Sequence, residues 1–126
     1  MESIYIMSTE SIYELLDEYS KNPYVESTIL MSKVGEPIAS NESNKLELQI
    51  FAPLASLTYE GAQELANTVG YNFHQLDLEM SNGSRIVIRS LREKFLLAVH
   101  VHKYDDRVKD EIESLGNKVS ESMYLL

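Results

Sequence analysis

Residues 29–40, which read ILMSKVGEPIAS, decide the fold of this chain. The apolar run at residues 29–31 predicts a strand covered on both sides, since a strand with one wet face alternates apolar and polar positions. Gly35 supplies a turn, because glycine adopts positive φ without steric cost. Pro37 begins a short returning strand at a sheet edge, where its missing N–H does no harm. The stretch therefore predicts a hairpin.

Periodicity and turn signals predict the elements on either side of this hairpin. Asn82-Gly83 favours a type I′ hairpin turn. Pro53 is well tolerated only in the first turn of a helix, yet residues 46–50 could be helical or extended. We place the start of the middle helix near Leu48. The predicted elements are a helix at residues 8–19, strands at 25–32 and 37–40, a helix at about 48–70, strands at 73–80, 85–91 and 95–101, and a helix around 108–119.

The strand patterns predict the layers of the fold. Residues 95–101 are apolar at nearly every position, whereas residues 73–80 alternate, as in a strand with one face in the core. A five-stranded antiparallel sheet with helices on both faces explains both patterns. The predicted fold class is α+β in the order α-β-β-α-β-β-β-α, and the 126 residues are expected to form a single domain, 1–126.

Composition excludes several classes of function. Lys plus Arg total 11 and Asp plus Glu total 20, and the net charge of −9 disfavours nucleic acid as a partner. The absence of cysteine excludes disulfides, thiolate catalysis and cysteine-ligated metals. The longest uncharged runs have 12 residues, fewer than the roughly 18 of a membrane span. The first residues lack a basic signal-peptide start, so the expected location is cytoplasmic.

The middle helix carries two apolar faces at about 100° per residue. One consists of Ile50, Leu54, Leu57, Gly61 and Leu65. The other has the 3.5-residue spacing of a helix–helix seam and consists of Ala52, Ala55, Tyr59, Ala62, Ala66 and Val69. We expect the leucine face to dock on the chain's own sheet and the alanine face to meet a second copy; burial of the alanine face within the chain is the alternative. The predicted dimer interface adds the edge-strand residues Phe73, Gln75 and Asp77.

The candidate catalytic and metal-binding residues have simpler structural explanations. Histidine is a common metal ligand, and the chain has three: His74, His100 and His102. A strand between that of His74 and that of the other two would separate them by roughly 9.5 Å, too far for a shared ion. Partly buried strand histidines are the favoured interpretation. No catalytic, metal-binding or cofactor-binding residue is therefore predicted.

Charged residues flank the Asn82-Gly83 hairpin on one strand face. Arg85 and Arg89 suit an acidic loop or a phosphate, but cross-strand pairing with Asp77 and Glu79 is favoured. The sequence has no G-x-S-x-G elbow and no G-x-x-x-x-G-K-[ST] phosphate loop. These observations indicate a binding or scaffolding module that is not an enzyme.

The chain resembles the Roadblock family, which includes dynein light chains. Residues 29–40 are similar to that family's strand, glycine turn and "P-I-A-S" strand, and residues 54–70 to its alanine-rich second helix. The resemblance covers about residues 12–119, leaving residues 1–7 outside it. It implies a profilin-like fold, and dimers in which the second helices pack antiparallel and two sheets join into one of ten strands.

The resemblance also implies a function. Roadblock proteins are mostly adaptors, and bacterial and archaeal members partner Ras-like GTPases. We therefore expect a homodimeric scaffold that binds a Ras-like small GTPase, with or without stimulating GTP hydrolysis. The alternatives are a passive adaptor subunit and a small-molecule sensor domain. The expected partner-facing residues form a polar strip on the middle helix: Ser56, Glu60, Gln63, Glu64 and Asn67.

Overall fold

The computed structural model describes residues 5–7, 9–41, 44 and 46–125. Its elements, in chain order, are β1 (Tyr5–Met7), α1 (Thr9–Ser20), β2 (Val25–Ser32), β3 (Pro37–Ser40), α2 (Leu48–Thr68), β4 (Gln75–Glu79), β5 (Arg85–Leu91), β6 (Phe95–Val101), α3 (Asp106–Glu121) and β7 (Met123–Leu125). The predicted start of the middle helix near Leu48 is confirmed. Pro53 lies inside this helix, beyond its first turn, and removes one backbone hydrogen bond there.

Five of the strands form one antiparallel sheet in the order β3-β2-β6-β5-β4. The two edges are therefore β3 and β4. Helices α1 and α3 cover one face through residues such as Leu16 and Ile112, which pack on Leu97 and Val99 of the central strand. Helix α2 covers the other face. The predicted fold class, with helices on both sides of the sheet, is confirmed.

A second, two-stranded sheet joins the two ends of the described chain. Strand β1 pairs antiparallel with β7, with Met7 opposite Met123. The sequence predicted neither strand. Met123 is 2% exposed and belongs to the core beneath α1 and α3, which fixes one end of this ribbon on the body of the protein.

The two hairpin turns on either side of β5 differ from the sequence prediction. In the β4–β5 loop, Gly83 N–H donates to the Met80 carbonyl, and positive φ is confined to Gly83. This is a three-residue loop ending in a glycine bulge, so the predicted type I′ turn is wrong. The β5–β6 turn instead has positive φ at Arg92 (50°) and Glu93 (60°), as in a type I′ turn. The Arg92 side chain donates to the Ser120 carbonyl near the end of α3, which gives this unusual turn a structural partner.

The orientation of α2 is opposite to the predicted one. Ala52, Ala55 and Tyr59 lie against the sheet and are at most 6% exposed. The leucine face turns away from the sheet, with Leu54 57% and Leu65 69% exposed. Large side chains of the sheet, such as Met31, Ile88 and Leu96, fill this core. Small helix residues therefore fit against them better than leucines.

A close backbone contact fixes α2 at this short distance. A Cβ atom on Gly35, which has a φ of +92°, would lie 2.8 Å from the Cα of Pro53. The Ser56 hydroxyl donates to the Lys33 carbonyl of the same turn at 2.5 Å. The β2–β3 turn and the first half of α2 are thus packed backbone to backbone, which only glycine permits.

Candidate interaction surface

The exposed apolar residues of α2 form an arc with two parts. Tyr59 points toward the sheet. At about 100° per residue, Ile50, Leu57 and Gly61 lie on the side of α2 opposite Tyr59 and so point away from the sheet. We call these three residues the outer face. Ile50 is 61% and Leu57 65% exposed. Apart from Gly61 itself, its chain neighbours and the adjacent helix backbone, no atom of the described residues lies within 4 Å of a Cβ built on Gly61. The outer face is therefore apolar and open.

The second part of the arc inclines toward the β4 edge of the sheet. It consists of Leu54, Ala62, Leu65 and Val69, which we call the lateral strip. Phe51 lies on the same side of α2 and lines a surface cavity with Met80 and Ile86 of the β4–β5 hairpin. This contact shows that the lateral strip is on the side of α2 nearest β4. Val69 is 67% exposed, so the lateral strip reaches the end of the helix. The strip lies beside an edge of the sheet.

The opposite side of α2 carries the polar strip. Glu60, Gln63 and Glu64 line a surface cavity of about 320 Å³ together with Lys33 and Val34 of the β2–β3 turn. Val34 is 79% exposed. The strip and the neighbouring β2–β3 turn therefore together present two carboxylates and an exposed apolar side chain. Of the residues predicted to face a partner, Ser56 is excluded by its burial and its bond to Lys33, whereas Asn67 is exposed.

The charged residues on the β4–β5 hairpin pair across the strands. Arg85 lies opposite Glu79 with a nitrogen–oxygen distance of 3.8 Å, and Arg89 donates to Gln75 at 2.9 Å. Gln75 also donates to Asp77 at 2.8 Å. The favoured cross-strand pairing with a carboxylate is found for Arg85 and Glu79, whereas Arg89 pairs with the amide of Gln75 instead. These contacts connect the two strands at the surface, and an exposed ion pair of this kind contributes little to stability.

The three histidines lie at two separate places. His74 precedes β4, and β5 lies between β4 and the strand that carries His100. His100 contacts the Ser84 hydroxyl at 3.1 Å, and burial lowers its pKa below the usual value. His102 pairs with Glu26. Within the described residues, no group of three histidine, aspartate or glutamate side chains is arranged to hold a metal ion.

The predicted dimer interface falls into two groups. Ala52, Ala55 and Tyr59 are buried against the chain's own sheet, so a second chain cannot reach them, and their assignment to the interface is corrected. The sequence-based prediction assigned the two faces of α2 the wrong way round. Both faces are apolar, and their spacing does not indicate which one the sheet covers. The remaining residues, which stay predictions, are Ala62, Ala66, Val69, Phe73, Gln75 and Asp77. Leu54 and Leu65, which the sequence assigned to the chain's own sheet, lie on the exposed side.

Comparisons with known proteins show which fold this architecture belongs to. No family model matches the sequence, and no curated protein matches it. Among solved structures, a Roadblock/LC7 domain from Streptomyces avermitilis is 18% identical, with 86% of this chain and 88% of that chain covered and a TM-score of 0.68. The helices and the five-stranded sheet described above are thus those of the Roadblock fold.

Two solved MglB structures match over more of the chain. Myxococcus xanthus MglB is 18% identical over 94% of this chain and 91% of its own, with a TM-score of 0.78. A gliding protein, MglB from Thermus thermophilus, is 17% identical over 96% of both chains, with a TM-score of 0.81. Both matches therefore cover nearly all of the helices and strands described above. Within the described part of this chain, no helix is long and apolar enough to cross a membrane.

Proposed function

We propose that this chain is a non-enzymatic dimeric scaffold that binds a Ras-like small GTPase through α2. The exposed apolar arc on α2 and its C-terminal cap residue carries this proposal, because five of its side chains are each more than half exposed: Ile50, Leu54, Leu57, Leu65 and Val69. A contiguous apolar patch on a folded chain marks an interaction site. Because the arc faces in two directions, it serves two different contacts.

The first contact is a homodimer. The lateral strip lies beside β4, whose outer edge has no neighbouring strand among the described residues. A two-fold contact brings the same surface of both copies together. The unpaired backbone groups of one β4 edge can then bond to those of the other, and the two apolar strips can pack on each other. The strip contains no charged side chain, so two chains of net charge −9 can meet along it.

The second contact is with the GTPase. The outer face is flanked by Glu60 and Glu64 of the polar strip, which gives an apolar centre with carboxylates at its rim. Such a surface fits a partner that presents an apolar side chain surrounded by Lys or Arg. The Roadblock resemblance names Ras-like GTPases as partners of this kind of domain. Binding then positions or regulates the GTPase.

Reversing the charge of the polar strip is expected to weaken this second contact. The double change Glu60→Lys and Glu64→Lys should lower affinity by about tenfold at low salt and flatten the salt dependence of the remaining binding, since rim charges act through screened attraction. The measurement is titration calorimetry with GTP- and GDP-loaded Ras-like GTPases encoded beside the gene. A matched control, Asp110→Lys with Glu113→Lys on the exposed side of α3, changes the net charge equally. Equal weakening by both pairs would contradict the assignment of this surface.

Substituting the outer face is expected to separate partner binding from dimerisation. Leu57→Glu places a charge where we expect the partner's apolar side chain, so affinity for the GTPase should fall by about 100-fold or more. The particle mass should stay unchanged, because Leu57 points away from the lateral strip. Unchanged affinity would reject the outer face as the docking site. Failure of the unsubstituted chain to bind any of the GTPases would reject the proposed function itself.

A further inference from the structure

A surface cavity of about 710 Å³ lies at the end of the sheet where β4 begins and β5 ends. Three connections meet there: the β2–β3 turn, the loop from α2 to β4 and the β5–β6 turn. The charged and titratable residues in its lining are Lys33, His74, Arg89, Arg92 and Glu93. Lys33 also lines the cavity of the polar strip, beside its carboxylates. The two arginines therefore define the charge of this cavity.

Neutral groups hold both arginines in place. Arg89 donates to the side-chain oxygen of Gln75 at 2.9 Å, and Arg92 donates to the Ser120 carbonyl at 3.0 Å. Within the described residues, neither arginine forms a salt bridge with a carboxylate, whereas Arg85 of the same strand does. In a chain of net charge −9, two positioned guanidinium groups thus keep their charge uncompensated by a contacting carboxylate.

The β5–β6 turn keeps a charged side chain at a conformational cost. Arg92 and Glu93 have φ angles of 50° and 60°, where a type I′ turn favours Asn-Gly. Non-glycine residues held at positive φ occur most often at functional sites. The bond to Ser120 uses Nε of Arg92, and no described residue accepts from its two terminal nitrogens. These nitrogens are available to a ligand.

We propose that this cavity binds an acidic segment of a partner protein, whose carboxylates accept hydrogen bonds from Arg89 and Arg92. The volume lies in the range of ligand sites, roughly 300–1,000 Å³. The remaining acidic surface of the chain repels such a segment, which directs it to this end of the sheet. The site belongs to a single chain and depends on neither the dimer nor the GTPase proposed above.

The placement of the two arginines favours an extended segment over a small anion. At about 3.3 Å per residue, the Cα atoms of Arg89 and Arg92 are roughly 10 Å apart. The bond to Gln75 draws one side chain toward β4, and the bond to Ser120 draws the other toward the end of α3. Guanidinium groups held apart in this way suit carboxylates spaced along a chain better than one phosphate ion.

Fluorescence anisotropy with a labelled peptide of alternating Glu and Ser tests the site on the intact chain. We expect this peptide to bind at low salt, and the matching peptide of alternating Gln and Ser not to bind. The double change Arg89→Gln and Arg92→Gln should lower affinity about tenfold, since two charge-assisted hydrogen bonds are lost. The control pair Lys109→Gln and Lys118→Gln removes two exposed charges from α3 and should change affinity less than about twofold.

A further variant separates binding from folding. Asn is favoured in a type I′ turn, so Arg92→Asn should keep a urea midpoint close to that of the unsubstituted chain. Its affinity for the acidic peptide should nevertheless fall about threefold. Unchanged affinity in this folded variant would show that Arg92 does not contact the ligand and would overturn the site.

Other results would also overturn the assignment. One is the absence of binding by the acidic peptide, and another is equal weakening by the arginine pair and the lysine pair. Displacement of the peptide by inorganic phosphate, beyond that by sodium chloride at equal ionic strength, would show a site for a single small anion. A lower particle mass for the arginine pair alone would show that a second copy fills the cavity. GTPase binding is measured separately, so its failure leaves this test unaffected.

Discussion

Replacing Leu65 with glutamate is expected to convert the dimer into a monomer. Leu65 is 69% exposed in the single chain, so the change should leave the fold intact. Burying a leucine is worth about 2 kcal/mol, and a two-fold contact loses this twice. The dissociation constant should therefore rise on the order of 1000-fold. Analytical ultracentrifugation over a concentration series measures it.

The matched control for this change is Leu57→Glu. Leu57 has the same side chain, lies on the same helix and is similarly exposed at 65%, but belongs to the outer face. It should leave the dissociation constant nearly unchanged. If Leu57→Glu dissociates the particle and Leu65→Glu does not, two copies meet back to back through their outer faces, and the proposed lateral contact is wrong.

Replacing Gly35 with alanine is expected to destabilise the fold more than the same change at Gly70. The added Cβ meets the Pro53 Cα at 2.8 Å. Neither atom can rotate away, because the Cβ is bonded directly to the backbone of the turn and the Cα belongs to the backbone of α2. Positive φ adds its own cost at a non-glycine residue. The free energy of unfolding should fall by roughly 2–4 kcal/mol. Urea denaturation at one fixed protein concentration measures the shift in midpoint.

Gly70→Ala separates the two causes of that loss. Gly70 also has positive φ, +83°, but apart from Gly70 itself and its two chain neighbours no atom in the described part of the chain lies within 4 Å of its added Cβ. Its cost should be only about 1 kcal/mol, from backbone conformation alone. Equal losses at the two positions would show that the β2–β3 turn does not press on α2 as the structure indicates.

Local patterns predicted most of the fold. The apolar run of residues 29–31, the glycine turn and the proline edge strand all occur where the sequence indicated. Strands β5 and β6 have the predicted bounds. These elements were predictable because hydrophobic period and turn chemistry act over a few residues. The ribbon of β1 and β7 was not, since its two short strands lie at opposite ends of the chain and neither alternates clearly.

The candidate site was only partly predictable, because its key choice depends on tertiary packing. The two apolar faces of α2 were recognised, but side-chain volume suggested that the leucines would dock on the sheet and that the alanines would meet a second copy. The sheet reverses this: its own large residues fill the core, and Gly35 holds the helix too close for leucines. The leucines therefore remain exposed on the other side of α2. Gly35 facing Pro53 was the decisive contact, and no local pattern contains it.

The mass of the particle in solution tests the proposed dimer directly. Multi-angle light scattering at micromolar concentration should give twice the 14.4 kDa of one chain, because the lateral strip and the β4 edge require a second copy to cover them. A particle of 14.4 kDa across that range would contradict the proposed dimer, since α2 would then expose its leucines to water without a partner copy.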